Sequence, residues 1–403
     1  MNLLQQPLQL PNGSILKNRL AKSAMSENLA TRSHAPTATL INAYAEWIKG
    51  EAGLLITGNV MVSDNALGEP RNVVVQDEKD MALLKKWAAV RGESKAHLWV
   101  QINHPGRQAM EEINQVLYAP SAVPLRMGGR KNASKKIPKA LEESEIKTII
   151  QQFANTASIL KSAGFTGVQI HGAHGYLVSQ FLSPYTNVRD DQWGGSIENR
   201  SRFVVEIIRA IRDKVGADFP IGIKLNSADF QKGGFTEEES MEVIQIISKE
   251  GIDLIEISGG TYEAPAMIVN RKKSTQDREA YFIDYIEKAR KVTKVPLMLT
   301  GGFRSVEAME EAVKSEALDL VGLARPFCIY PNLPKAIFEE GASSFPTTFK
   351  KSGVKMIDAA MSLIWYEAQI RRLGQGKTPH LKLSPWKVFA HYVGLIVQRK
   401  LLG

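Results

Sequence analysis

A chain of 403 residues, 44% of them hydrophobic, can bury a large core as one big domain or two smaller ones. Its net charge of +9 is spread over interspersed acidic and basic residues; the one long basic stretch, Arg126 to Lys139, reads as a solvated loop, so no nucleic-acid partner is expected. Cys328 is the only cysteine, which excludes intrachain disulfides and an all-cysteine iron-sulfur cluster, and the lack of a signal-peptide start or of about 20 consecutive apolar residues predicts a reduced, cytoplasmic protein.

Leu8 to Leu10 and Ile15 to Leu16, joined through Pro11-Asn12-Gly13, predict a small hairpin, because Asn-Gly supplies the positive φ angles of a tight turn. Short apolar runs then alternate with amphipathic segments. Strands are expected at Leu20 to Ser23, Gly53 to Thr57, His97 to Asn103, Gly167 to His171, Pro220 to Leu225, Leu254 to Ser258, Pro296 to Thr300 and Leu318 to Gly322. Helices are expected at Thr37 to Gly50, Glu78 to Gly92, Glu143 to Ala163, Ile197 to Val215, Glu237 to Glu250, Tyr281 to Val292, Val306 to Ser315 and Leu333 to Glu340. Eight strand-helix units predict an α/β fold of the (β/α)8 TIM-barrel class over residues 1–345, and no G-x-G-x-x-G follows an early strand to favour a doubly wound sheet. Residues 346–403 form a C-terminal helical extension, with helices at Val354 to Leu373 and Pro385 to Leu402. Its apolar stripe, Val388, Tyr392, Leu395 and Ile396 beside Lys387, Arg399 and Lys400, is expected to pack on the barrel or on a second subunit, making a homo-oligomer, in preference to lying on an anionic membrane.

Barrel enzymes carry their chemistry just past the C-terminal ends of the strands. The residues there are Met25-Ser26, Gly58-Asn59, Gln101 with His104-Pro105-Gly106-Arg107, the run His171-Gly172-Ala173-His174-Gly175-Tyr176, Lys224-Leu225-Asn226, Ser258-Gly259-Gly260, Gly301-Gly302-Phe303-Arg304 and Gly322-Leu323-Ala324-Arg325. Glycines after the last three strands, with Arg325, suit a phosphate. Lys224, a cation in an apolar run, calls for an anionic ring system or for a partner such as Asp229. Gln101 can donate and accept at once, which suits the edge of a heterocycle or a satisfied core position. His171 and His174 can aim two ring N–H groups at one oxygen, as a carbonyl becoming an enolate requires, and a phenol such as Tyr176, protonated at neutral pH by an ordinary pKa of about 10, can deliver a proton. His-x-x-His can also hold a metal, but a zinc site needs a third ligand and none stands at an obvious spacing, so no metal is expected.

Residues 5 to 340 resemble the Old Yellow Enzyme family of FMN-dependent NADH:flavin oxidoreductases and ene-reductases. The likeness is carried by His171-Gly-Ala-His174-Gly-Tyr176, Phe181-Leu-Ser-Pro184, Asn187-Val-Arg189 and Trp193-Gly-Gly-Ser-Ile-Glu-Asn-Arg-Ser-Arg-Phe203. It implies that FMN is contacted by Ala24, Met25, Ser26, Asn59 and Gln101, with Lys224 near the flavin pyrimidine and Gly301, Gly302, Ala324 and Arg325 at its phosphate. It also implies that His171 and His174 hold the substrate carbonyl while Tyr176 gives the proton, NADH or NADPH reduces the flavin, and the substrate is an activated alkene such as an α,β-unsaturated carbonyl. Ser26 stands where many relatives have Thr or Cys, Asn28 where some have Tyr, and Lys224 where many have Arg. A flavin-dependent dehydrogenase or demethylase of the same fold running oxidatively, and a non-catalytic flavin-binding redox sensor, are the alternative functions.

Overall fold

The computed structural model describes residues 3–126, 134, 136–261, 263–264, 283–347, 349 and 355–402. Among them, eight parallel strands close a ring: β1 (Leu20–Lys22), β2 (Leu54–Ile56), β3 (His97–Asn103), β4 (Gly167–Gly172), β5 (Ile221–Asn226), β6 (Leu254–Ser258), β7 (Leu297–Thr300) and β8 (Leu320–Leu323). Each pairs with the next, and β8 returns to β1 through Val321 opposite Leu20, so the chain is a (β/α)8 TIM barrel. The expected strands are all present, displaced by at most two residues at their ends. Most of the basic stretch (127–133 and 135) and the first two residues of the Tyr281 to Val292 helix lie outside the described residues.

Strand alternation sorts the side chains into two layers. Leu98, Val100, Ile102, Val168, Ile170, Ile223, Ile255, Ile257, Leu299 and Val321 face outward into the core beneath the surrounding helices. The other parity faces inward. There Ala21, Leu54, Ile56, Trp99, Leu254, Met298 and Leu320 fill the N-terminal half of the barrel. Trp99 is fully buried, and glycines are needed beside it on β4 and β5: a Cβ at Gly167 would come within 2.5 Å of its indole Nε1, and one at Gly222 within 2.8 Å of its ring. The hairpin Leu8–Gln9 and Ile15–Leu16 closes this end, placing Leu8, Leu10 and Leu16 on the same cluster.

Helices begin where the sequence offers side-chain acceptors. Thr37 accepts from the Leu40 N–H ahead of Ala38–Ile48, and Thr236 with Glu239 forms a reciprocal capping box ahead of Glu237–Ser248. A short helix at Leu177–Leu182 and strand pairs at Val60–Met61 with Val73–Val74 and Tyr118–Ala119 with Lys139–Ala140 lie outside the alternation and were not expected.

The extension folds back onto the barrel. Helix Lys355–Gly374 lies along Ala38–Ile48, so closely that a Cβ at Gly374 would strike the Thr39 carbonyl. Trp365 is fully buried and donates its indole N–H to the Leu383 carbonyl at 3.0 Å, tying this helix to the turn before helix Pro385–Leu402. Val388 reaches the main core and Tyr392 packs against it, whereas Trp386, Phe389, Val393 and Val397 on the opposite face are exposed. No described helix is long and apolar enough to cross a membrane.

Candidate active site

At the C-terminal mouth of the barrel lies an open cavity. Every residue that the resemblance assigned to FMN, substrate or proton transfer lines it: Ala24, Met25, Ser26, Asn59, Gln101, His171, His174, Tyr176, Lys224, Gly301, Gly302, Ala324 and Arg325. His104 and Arg107, also past a strand end, do not. Arg107 is turned away into a buried ion pair with Glu263, and His104 Nδ1 accepts from the Gly106 N–H at 3.1 Å.

The floor of the cavity is a polar layer standing on the apolar one. Gln101 Nε2 donates to Gln169 Oε1 at 2.7 Å, Gln169 Nε2 donates to Glu256 Oε2 at 2.7 Å, and Glu256 Oε1 accepts from Thr300 Oγ1 at 2.6 Å. Lys224 Nζ lies 2.9 Å from Glu256 Oε1. Its partner is therefore Glu256 and not Asp229, which instead accepts from Ser183, Asn226 and the Phe235 N–H. The physical reason is register: Lys224 and Glu256 sit opposite each other on adjacent parallel strands with the same inward parity. Both are buried, so the pair is obligatory once either charge is present. Gln169 and Glu256 were missed from sequence, although a carboxylate inside the apolar run Leu254-Ile255-Glu256-Ile257 is the same signal that drew attention to Lys224.

The histidine cluster leaves β4 on a strained turn. His174 has φ 61, a left-handed conformation uncommon outside glycine, and is held there by the Asn226 side chain accepting its backbone N–H at 3.1 Å and Gln108 donating to its carbonyl at 3.0 Å. Gly175 follows with φ 79. The result brings the His171 and His174 ring centroids to 5.1 Å and those of His171 and Tyr176 to 4.7 Å, each pair nearly perpendicular. Burial, then repulsion from His174 and Lys224, holds the His171 pKa well below its ordinary value, and burial with repulsion from Lys224 lowers that of His174 to about 3. Both rings are neutral at neutral pH. The Ala173 N–H donates to His171 Nδ1 at 3.3 Å, which places that ring's proton on Nε2, and His174 Nε2 pairs with Ser258 Oγ at 2.8 Å. Among the described residues, no three His, Cys, Asp or Glu side chains gather as a metal site.

The opposite end of the lining suits an anion. Gly301 and Gly302 have φ 132 and 92, and Gly322 is required by close approach, since a Cβ there would strike Thr300, Met298 and Ser23. Asn59 Oδ1 is buried in the lining without a hydrogen-bond partner among the described residues, as expected of a group that faces a bound polar ring. The donor set, the glycine cradle with Arg325 and the orphaned Asn59 oxygen together fit FMN.

The NADH:flavin oxidoreductase / NADH oxidase family model matches residues 3–342. The NADH-dependent flavin oxidoreductase iliE of Hypocrea jecorina is 39% identical over 82% of this chain and 88% of its own, and iccE of Talaromyces variabilis is 35% identical over 92% and 98%. Among solved structures, a 2-naphthoyl-CoA reductase complex superposes with a TM-score of 0.78 at 28% identity over 84% of this chain and 52% of that one, and the Old Yellow Enzyme homologue of Zymomonas mobilis with 0.71 at 24% over 85% and 94%. With its catalytic barrel matched almost end to end, the chain belongs to the NADH:flavin oxidoreductase / NADH oxidase family, the FMN-dependent, NAD(P)H-using oxidoreductases of Old Yellow Enzyme type.

Proposed function

We propose that this oxidoreductase reduces the C=C bond of activated alkenes such as α,β-unsaturated carbonyls, with residues 1–345 carrying FMN and residues 346–403 walling its substrate side. FMN, when bound, accepts hydride from NADH or NADPH and supplies it to the alkene β-carbon. Lys224, held by Glu256, would set a fixed positive charge against the flavin, and Gln101 and Asn59 would offer it hydrogen bonds. Gly301, Gly302, Ala324 and Arg325 hold its phosphate; Ala24, Met25 and Ser26 line its ring.

His171 donates Nε2–H to the substrate carbonyl. With Ser258 donating to His174 Nε2, that ring carries its proton on Nδ1 and donates it to the same oxygen. Two preorganised donors in a buried site stabilise the oxygen as it gains enolate charge. Tyr176, packed edge-on against His171, protonates the α-carbon. The observation that carries this reading is the pair of buried, neutral imidazoles beside a phenol in one cavity at the barrel mouth.

Half-reactions followed by stopped-flow flavin absorbance test it. Tyr176→Phe is expected to slow alkene reduction by about 10²–10⁴ while flavin reduction by NAD(P)H changes little. Equal loss in both halves removes Tyr176 from the role of proton donor. His171→Ala and His174→Ala are each expected to weaken binding of phenolate-type ligands by about tenfold or more, the loss of a hydrogen bond to a charged group.

A further inference from the structure

Positive charge is not shared evenly along this chain. Residues 368–403 contain seven Lys or Arg and no Asp or Glu, so they carry +7 of the net charge of +9. The interspersion of acids and bases expected from the sequence therefore holds, at a nearly neutral balance, for residues 1–367 only. Within the cationic segment Arg371 is spent inside the protein beside buried Glu367, whereas Lys377, Lys382 and Lys387 are exposed.

Helix Pro385–Leu402 lies in this segment and has two apolar faces. One carries Val388 and Tyr392 onto the core. On the other, Trp386, Phe389, Val393 and Val397 recur at steps of three and four residues, which aligns them along about 17 Å of the helix. All four are exposed, and so is Leu381 in the turn before them. Large apolar side chains gathered in one exposed line mark a surface that meets something.

Two features say what. A second copy packed face to face about a two-fold axis would set one +7 segment against another. An anionic surface takes the same charge favourably, each Lys or Arg near it strengthening binding about fivefold. The side chains agree: an indole and a phenyl ring next to lysines suit the boundary of acyl chains and headgroups, where rings bury and ammonium groups stay wet. As no described helix is long and apolar enough to cross a membrane, this one would lie along its surface.

We propose that the exposed face of helix Pro385–Leu402 docks the enzyme on an anionic phospholipid bilayer. Trp386, Phe389, Val393 and Val397 enter the headgroup layer, and Lys382 and Lys387 pair with the lipid anions.

Sedimentation of the FMN-loaded, full-length protein with lipid vesicles tests this. Vesicles of phosphatidylcholine containing one-third phosphatidylserine are expected to bind it at least about tenfold more tightly than phosphatidylcholine alone, and the difference shrinks as salt is raised. Trp386 gives a second readout, because it is exposed while the other five of the six tryptophans are buried. Acrylamide is expected to quench its emission in solution, and the anionic vesicles to protect it. Lys382→Gln with Lys387→Gln, and separately Phe389→Ser with Val393→Ser, are each expected to weaken vesicle binding by about tenfold or more. These side chains are exposed, so flavin content is expected to stay unchanged. Absence of a phosphatidylserine preference overturns the proposal, as does binding that survives both pairs of substitutions. A concentration-dependent dimer that shields Trp386 without lipid also overturns it and assigns the face to a second copy.

Discussion

Burial and nearby positive charge keep His171 and His174 neutral, and that refusal of a charge has a pH signature. A histidine whose folded pKa lies below its unfolded value binds fewer protons when native, so its contribution to stability is complete above about pH 6.5 and is lost as pH falls toward the folded value. His174 and His104, both brought to about 3, and His97, brought to about 4 chiefly by burial, all act in this window. Each is expected to cost on the order of 2 kcal/mol between about pH 6.5 and 5, which denaturant titrations of the FMN-free protein at several pH values check. Conversely, the rate of the alkene half-reaction is expected to show no histidine break near pH 6.5, and an inflection there would mean that a ring charges within the working range. At this scale the sequence was readable where chemistry is local: two imidazoles and a phenol within six residues announce themselves. It was not readable where a partner arrives from another strand or helix. Lys224 was expected to face an anionic ring system or a neighbour in sequence such as Asp229, whereas its partner comes from the adjacent strand, and Ser258 acquires its meaning from a contact that no spacing encodes.

Adjacent strands explain the polar floor. Parallel pairing of β5 with β6 sets Lys224 opposite Glu256, and the inward parity that places Trp99 and Leu254 in the lower layer puts Gln101 and Glu256 one step above them. Replacing Glu256 by Leu is expected to destabilise the FMN-free protein by about 3–5 kcal/mol, because it leaves the Lys224 ammonium buried and unpaired, and Lys224→Met added to it is expected to recover much of that loss. Thermal and denaturant unfolding of the single and double variants check this; additive losses would show that the two side chains are not coupled. Elements of this kind were legible because strands buried on both faces read as apolar runs between amphipathic helices. The helix Leu177–Leu182 was not, since six residues held in place by tertiary contacts carry too little periodicity to register.

For the molecule as a whole, the ring of eight strands could be counted from the chain, but the seating of the extension could not, because an apolar stripe does not name the surface it covers. Trp365, buried between the two terminal helices, is the keystone of that seating. Trp365→Ala is expected to cost about 3–5 kcal/mol and to loosen the wall that Leu363 and Tyr366 present to the cavity, read as a lowered Tm together with weaker ligand binding. Cys328 takes no part: burial pushes its thiol up to about 12, so alkylating reagents are expected to leave the native enzyme untouched.

The N-terminal hairpin has a consequence for kinetics. With Leu8, Leu10 and Leu16 stoppering one end of the barrel beneath the packed Trp99 layer, the described residues leave the cavity open at the strand C-termini. On the alkene-reductase reading, nicotinamide and alkene share that opening and are expected to take turns, the first leaving oxidised before the second enters. Initial-rate plots at several fixed concentrations of NAD(P)H should accordingly run parallel, and each partner in excess should inhibit by occupying the other's place.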